Sequence, residues 1–306
     1  MLVTTKSLLV PARRKHYAVP AFNVNSLEFL RAVMDAAVKL KSPVILQTSE
    51  GAVAYAGMDY LVAIANVAAQ EKIPVALHLD HGKDINVLKQ AIKSGYTSIM
   101  FDGSSFPYDK NVALTKKVVA LAHAKGVSVE AELGAIAGIE DFVSVAARDA
   151  HLTNPTEAAT FVRATRCDAL AVAIGTSHGA FKFSGRTHLD IARLKKIAAA
   201  VAIPIVLHGA SGVAEDAVEL AEKYGAKLGK ARGVLDADIK QAIKHGVAKV
   251  NIDTDLRLAF TAGIREAVHD LPKVIDPRKL LAPASVLMRE TAMQKMKLFG
   301  SAGKAA

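Results

Sequence analysis

Two imidazoles and a carboxylate fall within four residues of the stretch Ala76-Leu77-His78-Leu79-Asp80-His81-Gly82. An apolar run opening at Pro74-Val75 precedes them, which reads as a buried strand, and the glycine reads as the turn that ends it. The polar residues therefore stand where a strand leaves the core. The same arrangement recurs where the run from Leu170 delivers His178-Gly179, and where the run from Pro204 delivers His208-Gly209. Taken singly, each histidine reads as a core imidazole bonded to backbone. Together, at matching strand ends, they point to neutral imidazoles converging on a metal, the usual way to hold zinc with a coordination position left open. Zinc held by His81, His178 and His208 would act as a Lewis acid on a substrate carbonyl or hydroxyl. Asp80 immediately precedes a proposed ligand. It can exchange a proton with a substrate hydroxyl, or it can simply orient an imidazole.

Histidines at strand ends need a scaffold that brings strand ends together. Apolar, β-rich runs occur at Val19 to Phe22, Val44 to Gln47, Val75 to Leu79, Ser98 to Phe101, Ser128 to Ala131, Ala169 to Ile174, Ile205 to Leu207 and Lys249 to Ile252, with amphipathic helical spacing between them. Near-continuous apolar strands alternating with helices predict a parallel sheet covered on both faces. Eight such repeats predict an α/β fold, one (β/α)8 TIM barrel over residues 1–306 as a single domain, with 255–306 forming C-terminal helices and a tail. A doubly wound open sheet is the alternative, but no Gly-x-Gly-x-x-Gly follows the first strand. In a barrel, chemistry collects at the C-terminal strand ends. Those ends carry Asn23, Ser49, Asp80 with His81, Asp102, Glu132, His178, His208, and Asn251 with Asp253. Helical patterns at Leu256 to Val268 and Ala284 to Leu298 are expected to pack on the barrel or on another subunit, and Gly300 to Ala306 to fray.

Composition narrows the function. With 306 residues, 51% of them hydrophobic and no Trp, aliphatic side chains must fill a large core. No run reaches the length of a membrane span, and the N-terminus lacks an apolar signal core, so the expectation is a cytoplasmic protein. Cys167, the one cysteine, reads as a packed thiol. The excess of 39 Lys and Arg over 29 Asp and Glu gives a formal charge of +10. Apart from Arg13-Arg14-Lys15-His16, read as a solvated helix end, the basic residues are scattered and not interleaved with aromatics, which argues against nucleic acid and membrane partners. Small phosphorylated ligands are the simplest anionic partners. Two turns suit phosphate: His208-Gly209-Ala210-Ser211-Gly212, and Asn251-Ile252-Asp253-Thr254-Asp255 after the eighth strand. The Gly- and Ala-rich stretch after Glu132 reads as a mobile loop that carries Glu140 into the site, or as a surface loop with an exposed acid.

Five motifs in this order resemble the class II, metal-dependent fructose-bisphosphate aldolases: His78-Leu79-Asp80-His81-Gly82, Glu130-Ala-Glu132-Leu-Gly134, Ala173-Ile-Gly-Thr-Ser-His178-Gly179, Leu207-His-Gly-Ala-Ser211-Gly212 and Lys249-Val-Asn-Ile-Asp-Thr-Asp255. The resemblance extends through Asp276-Pro277-Arg278 to the Leu298-Phe299-Gly300-Ser301 tail. It implies reversible aldol cleavage of fructose 1,6-bisphosphate to dihydroxyacetone phosphate and glyceraldehyde 3-phosphate, in glycolysis and gluconeogenesis. It also implies that His81, His178 and His208 bind the catalytic zinc, and that Asp102 and Glu132 offer a second or alternative metal position. Asp80 would exchange the C4 hydroxyl proton, and Glu140 the proton of the dihydroxyacetone carbon. Gly179, Gly209, Ala210, Ser211, Asn251, Ile252, Asp253 and Thr254 would hold dihydroxyacetone phosphate, with a monovalent cation near the two glycines. Ser49 and Arg278 would meet the other phosphate, the Arg from a neighbouring subunit of a homodimer or homotetramer, and Asn23 would line the pocket. His78 matches the motif as a structural residue.

Several alternatives stay open at this level. Tagatose 1,6-bisphosphate differs from the fructose substrate only at C4. A non-catalytic sugar-phosphate-binding barrel would share the fold, yet should have lost an acid or a ligand. A metal-dependent barrel hydrolase commonly places His-x-His after the first strand, where this chain has Phe22-Asn23-Val24. A Schiff-base aldolase would need Lys249, which at the start of its strand is expected to point away from the site.

Overall fold

A computed structural model describes residues 2–140, 143–145, 151–178, 188–228 and 233–305. In chain order its strands are β1 (Val19–Asn23), β2 (Val44–Ser49), β3 (Val75–Gly82), β4 (Ser98–Phe101), β5 (Ser128–Leu133), β6 (Ala137–Glu140), β7 (Val143–Val145), β8 (Ala169–Val172), β9 (Ser177–His178), β10 (Ile205–Leu207) and β11 (Val247–Ile252). Eight of them close a parallel barrel in the order β1-β11-β10-β8-β5-β4-β3-β2, while β7-β6-β9 form a separate small sheet. The helices are α1 (Thr5–Arg14), α2 (Leu27–Leu40), α3 (Glu50–Ala56), α4 (Met58–Ala68), α5 (Ile85–Ser94), α6 (Tyr108–His123), α7 (Pro155–Thr165), α8 (Ile191–Ala200), α9 (Glu215–Lys223), α10 (Asp236–Lys244), α11 (Thr254–Asp270) and α12 (Pro277–Leu298). The expected TIM barrel with extra C-terminal helices is the observed fold. Among the described residues no single helix is long and apolar enough to cross a membrane.

Alternation along each strand divides the core in two. Leu77, Leu79, Phe22, Leu46, Val129, Ala131, Leu170 and Val172 face the helices and join the large outer core. Val19, Ala21, Ile45, Ala76, Met100, Ala169, Ala171, Val206 and Ala248 fill the lower interior, closed by Leu8, Leu9 and Ala12 of α1. Helix α1 is thus a plug for the bottom of the barrel. Thr5 fixes it there, its hydroxyl bonding Ser98 and Ser128 at 2.8 Å each. Arg13 is not the solvated helix end expected of it. Its guanidinium donates to the carbonyls of Ala198 (2.8 Å), Val201 (2.7 Å) and Ile203, covering the C-terminal end of α8.

The tail also departs from expectation. Ser301 is fully buried and accepts from Ser42 Oγ at 2.7 Å, and the amides of Gly303 and Ala305 donate to the carbonyls of Leu40 and Lys41. Backbone bonds to the end of α2 therefore hold residues that composition marks as frayed. Helix α12 packs on α11 and α2. It opens at Asp276, whose carboxylate accepts the Arg278 amide at 3.0 Å, with Pro277 in the first helical turn. The stretch after Glu132, expected as a loop, continues into β6, which pairs with β7 and, through Gly138↔His178, with β9. Cys167 is buried, and desolvation pushes its thiol up to about 12, as a packed side chain requires.

Candidate active site

Two irregularities in strand pairing aim the central side chains. Against β4, the register of β3 runs His78↔Ser98 and Leu79↔Ile99, then jumps to Gly82↔Phe101, so β3 holds one extra residue there. His81 absorbs it with φ +47°. In a regular strand Asp80 and His81 would face opposite sides; the bulge lets both reach the barrel mouth. A second bulge lies in β11, where Ile205↔Val247 is followed by Val206↔Lys249. It turns Lys249 inward together with Asn251, two residues on.

Asp80 is held by amides from three neighbouring strands. Gln47 Nε2 (3.1 Å) and Asn23 Nδ2 (3.4 Å) donate to its Oδ2, and Asn251 Nδ2 (3.1 Å) to its Oδ1. The registers Asn23↔Gln47 and Ser49↔Asp80 place these residues side by side. Burial alone would raise the Asp80 pKa, but the charges of His81, Lys249 and His208 outweigh it, and the carboxyl lies below its ordinary value. Gln47, interior on β2, was not among the residues singled out from sequence. Its signal is a lone glutamine in an apolar strand.

The imidazoles of His81 and His208 meet edge to face, with His81 Nε2 and His208 Nδ1 2.8 Å apart. Each ring is gripped from behind. His81 Nδ1 faces Asp102 Oδ2 at 3.1 Å and His208 Nε2 faces Glu130 Oε1 at 2.7 Å, so the two inner nitrogens face a common point. Asp102 also accepts from the amide and hydroxyl of Ser104. Burial would raise its pKa, but these bonds and His81 hold it well below the usual carboxylate range. For His81 burial works downward, but the carboxylates of Asp80, Asp102 and Glu132 push its pKa up to about 10. Desolvation and the charge on His81 lower that of His208. The Glu132 carboxyl pKa is driven well above its ordinary value by burial and by Asp102, and its Oε2 lacks a hydrogen-bond partner among the described residues.

The donor set fits a metal ion. Ligand atoms of Asp80, His81 and His208, and of His81, Asp102 and Glu132, each lie within 4.8 Å of one another, fully buried. Crowded carboxylates beside an orphaned Glu132 oxygen are the environment a divalent cation relieves. For His178 the backbone is described, in β9 beside Gly138; its side chain lies outside the description, as does that of Glu140. Gly179 lies outside the described residues altogether.

Lys249 does not point away from the site. Its strand begins two residues earlier than the sequence pattern suggests, and the bulge sends the side chain into the barrel, fully buried. Its ammonium lies 2.8 Å from Glu130 Oε2 and 3.4 Å from His78 Nε2. His78 bonds Ser98 through Nδ1 at 2.8 Å, and burial with the Lys249 charge lowers its pKa to about 3, so it is a neutral structural residue. Glu130 therefore bridges Lys249 and His208. Burial would raise its pKa, but Lys249 and His208 hold it well below the usual range.

Asn23, Ser49 and Asp253, three of the other proposed substrate contacts, line one cavity. A cavity of about 640 Å³ is lined by Asn23, Ser49, Tyr55, Asp253, Arg257 and Phe260 among others. Arg257, absent from the sequence reading, donates through Nε to Asp253 at 2.8 Å and brings a cation to this wall. Its signal is the i, i+4 spacing from Asp253 at the start of α11. Ile252 packs its side chain in the outer core, so only its backbone can face a ligand. Thr254 and Ser211 are buried beside it in sequence and at the adjacent loop, respectively, and Ala210 is buried with them. Arg278 stands apart: 87% of its side chain is exposed, and its guanidinium is paired with Asp276.

Gly209 ties two of these loops. It adopts φ +59°, and a Cβ there would lie 2.5 Å from the Ser177 carbonyl oxygen. Gly209→Ala is expected to cost about 2 kcal/mol or more, from the left-handed backbone and a clash with rigid backbone. A urea melt of the variant checks this, and an unchanged midpoint would refute it.

Comparison with known proteins gives one answer. Residues 3–304 match the family described as fructose-bisphosphate aldolase class-II. The chain is 50% identical over 305 residues to the fructose-bisphosphate aldolase of Thermus caldophilus, covering all of both chains. It is 46% identical to that of Giardia intestinalis, covering 99% of this chain and 94% of the relative. Among solved structures, the YdjI aldolase from Escherichia coli K12 superposes with a TM-score of 0.81 at 36% identity, covering 100% of each chain. With a full-length family match, the expected strand ends in one barrel mouth and a metal-competent cluster at its centre, the chain belongs to the class II fructose-bisphosphate aldolase family.

Proposed function

We propose that this protein is a single-domain, cytoplasmic fructose 1,6-bisphosphate aldolase, releasing dihydroxyacetone phosphate and glyceraldehyde 3-phosphate reversibly in glycolysis and gluconeogenesis. The observation that carries the reading is the convergence of Asp80, His81 and His208 within 4.8 Å of one another, in a chain of this family. Zinc bound by His81, His178 and His208, with Asp102 and Glu132 as a second position, would supply positive charge at the substrate carbonyl oxygen. Asp80, ionised in its cradle of amides, accepts the C4 hydroxyl proton as the C3–C4 bond breaks. The electron pair passes to C3, and Glu140 delivers the proton that completes dihydroxyacetone phosphate. Gly179, Gly209, Ala210, Ser211 and the segment Asn251, Ile252, Asp253, Thr254 hold the phosphate of that half, and Gly179 and Gly209 would be the residues to hold a monovalent cation. Ser49 holds the other phosphate with Arg278 of a neighbouring subunit, since Arg278 is exposed and paired only with Asp276 among its described bonds. A homodimer or homotetramer follows from that sharing.

The test is cleavage of fructose 1,6-bisphosphate and tagatose 1,6-bisphosphate in parallel, before and after EDTA and after zinc is restored. Activity on the fructose substrate is expected to vanish with EDTA and return with zinc. Preference for tagatose would overturn the substrate. Cleavage that survives EDTA and is trapped by borohydride would overturn the metal mechanism.

A further inference from the structure

Behind the Gly209-Ala210-Ser211-Gly212 loop lies a buried ion pair that none of the roles above uses. Lys295, on the last helix α12, is only 7% exposed, and its ammonium lies 3.3 Å from Asp255 Oδ2. The same Asp255 oxygen accepts the backbone amide of Gly212 at 3.1 Å. Asp255 Oδ1 is buried with no hydrogen-bond partner among the described residues, where the carboxylate meets Lys295 and one amide. Space between lysine and loop is tight: a Cβ on Gly212 would lie 2.8 Å from Lys295 Nζ. The loop is further held by the Val234 amide, which donates to the Ser211 carbonyl at 3.1 Å.

A lysine so enclosed loses hydration and side-chain entropy, and is stable only beside a fixed carboxylate. Its effect falls on the loop in two ways. It holds the Asp255 carboxylate in place, which orients the Gly212 amide. It also sets a positive charge directly behind the backbone that faces the ligand, where solvent does not screen it. We propose that Lys295 is a positioning residue for the phosphate of dihydroxyacetone phosphate, acting through Asp255 and Gly212 from outside the cavity. The inference rests on the phosphate role of this loop given above.

Zinc-loaded full-length protein carrying Lys295→Met, Lys295→Arg or Gly212→Ala is compared with the wild type. The readouts are dihydroxyacetone phosphate binding by calorimetry, inhibition by inorganic phosphate, and steady-state cleavage. Lys295→Met is expected to weaken binding of both ligands and raise KM by roughly tenfold, the scale of one charge-assisted contact, with kcat within about twofold. Lys295→Arg should recover most of the loss. Gly212→Ala, which displaces the ammonium without removing it, should shift binding the same way. Ala292→Gly, a helix-weakening change in the buried face of α12, controls for stability: it should lower the melting temperature and leave binding unchanged. If Lys295→Met folds and binds both ligands like the wild type, the inference is overturned. If Ala292→Gly weakens binding as much as Lys295→Met, the role is structural and the inference is overturned as well. Wild-type protein that fails to bind dihydroxyacetone phosphate would instead refute the phosphate role on which the inference stands.

Discussion

Replacing Asp80 by asparagine is expected to lower kcat for fructose 1,6-bisphosphate cleavage by about 10²–10⁴-fold, the range set by a positioned acid–base group. The argument depends on what the substitution leaves intact. Asp80 receives donors from Asn23, Gln47 and Asn251. An asparagine there would direct an amide NH₂ toward some of them. Asn251 Oδ1 is buried without a hydrogen-bond partner among the described residues, so rotation of that amide supplies an acceptor for the new donor, while Gln47 keeps its Nε2 on Asn23 Oδ1 at 2.6 Å. The fold and the His81–His208 geometry should therefore survive, and the loss belongs to proton exchange. Zinc content measured beside kcat separates the two. A zinc-replete, folded variant losing less than tenfold would remove Asp80 from the chemistry.

The second large effect is expected beneath the metal centre. Lys249→Met strands the Glu130 carboxylate, fully buried, with its Oε2 bereft of the ammonium 2.8 Å away. Breaking one half of such a pair typically costs about 3–5 kcal/mol. Glu130 also grips His208 Nε2 at 2.7 Å, which leaves the other ring nitrogen facing His81 and the candidate metal position. Loss of that support typically weakens metal affinity by about 10–100-fold. Urea unfolding gives the first quantity, and zinc competition with a chromophoric chelator the second. The double variant Lys249→Met with Glu130→Gln should recover a large part of the stability, since no bare charge remains. Equal stability losses in the single and double variants would show that the pair is not coupled. The same pairing argues against Lys249 as a Schiff-base nucleophile, because its ammonium is bound to a carboxylate below the layer of Asp80.

Much of this was legible in the sequence because it is local. Each apolar run that reads as a barrel strand is one, since a strand buried on both faces must be apolar wherever it lies. The turns after those runs carry polar residues, and parallel closure alone brings the ends together. Asp80, His81, His208, Asp102 and Glu132 meet for that reason. What local pattern could not give is register. Whether Asp80 and His81 can share one face depends on an extra residue in β3 opposite β4, and whether Lys249 points inward depends on another in β11 opposite β10. Bulges of this kind are set by how neighbouring strands pair around the closed barrel.

Long-range partners were hidden for the same reason. The sequence by itself determined the barrel, the metal-competent strand ends and the family. Only the tertiary structure decided that Gln47 helps hold Asp80, that Arg13 covers the end of α8, that Ser301 anchors the tail to Ser42, and that Lys295 stands behind the Gly212 loop. Each of these is a polar contact, or for Arg13 a set of three, between segments far apart in the chain. A hydrophobic period records which face of an element is buried, but not which distant group a buried charge or amide will meet.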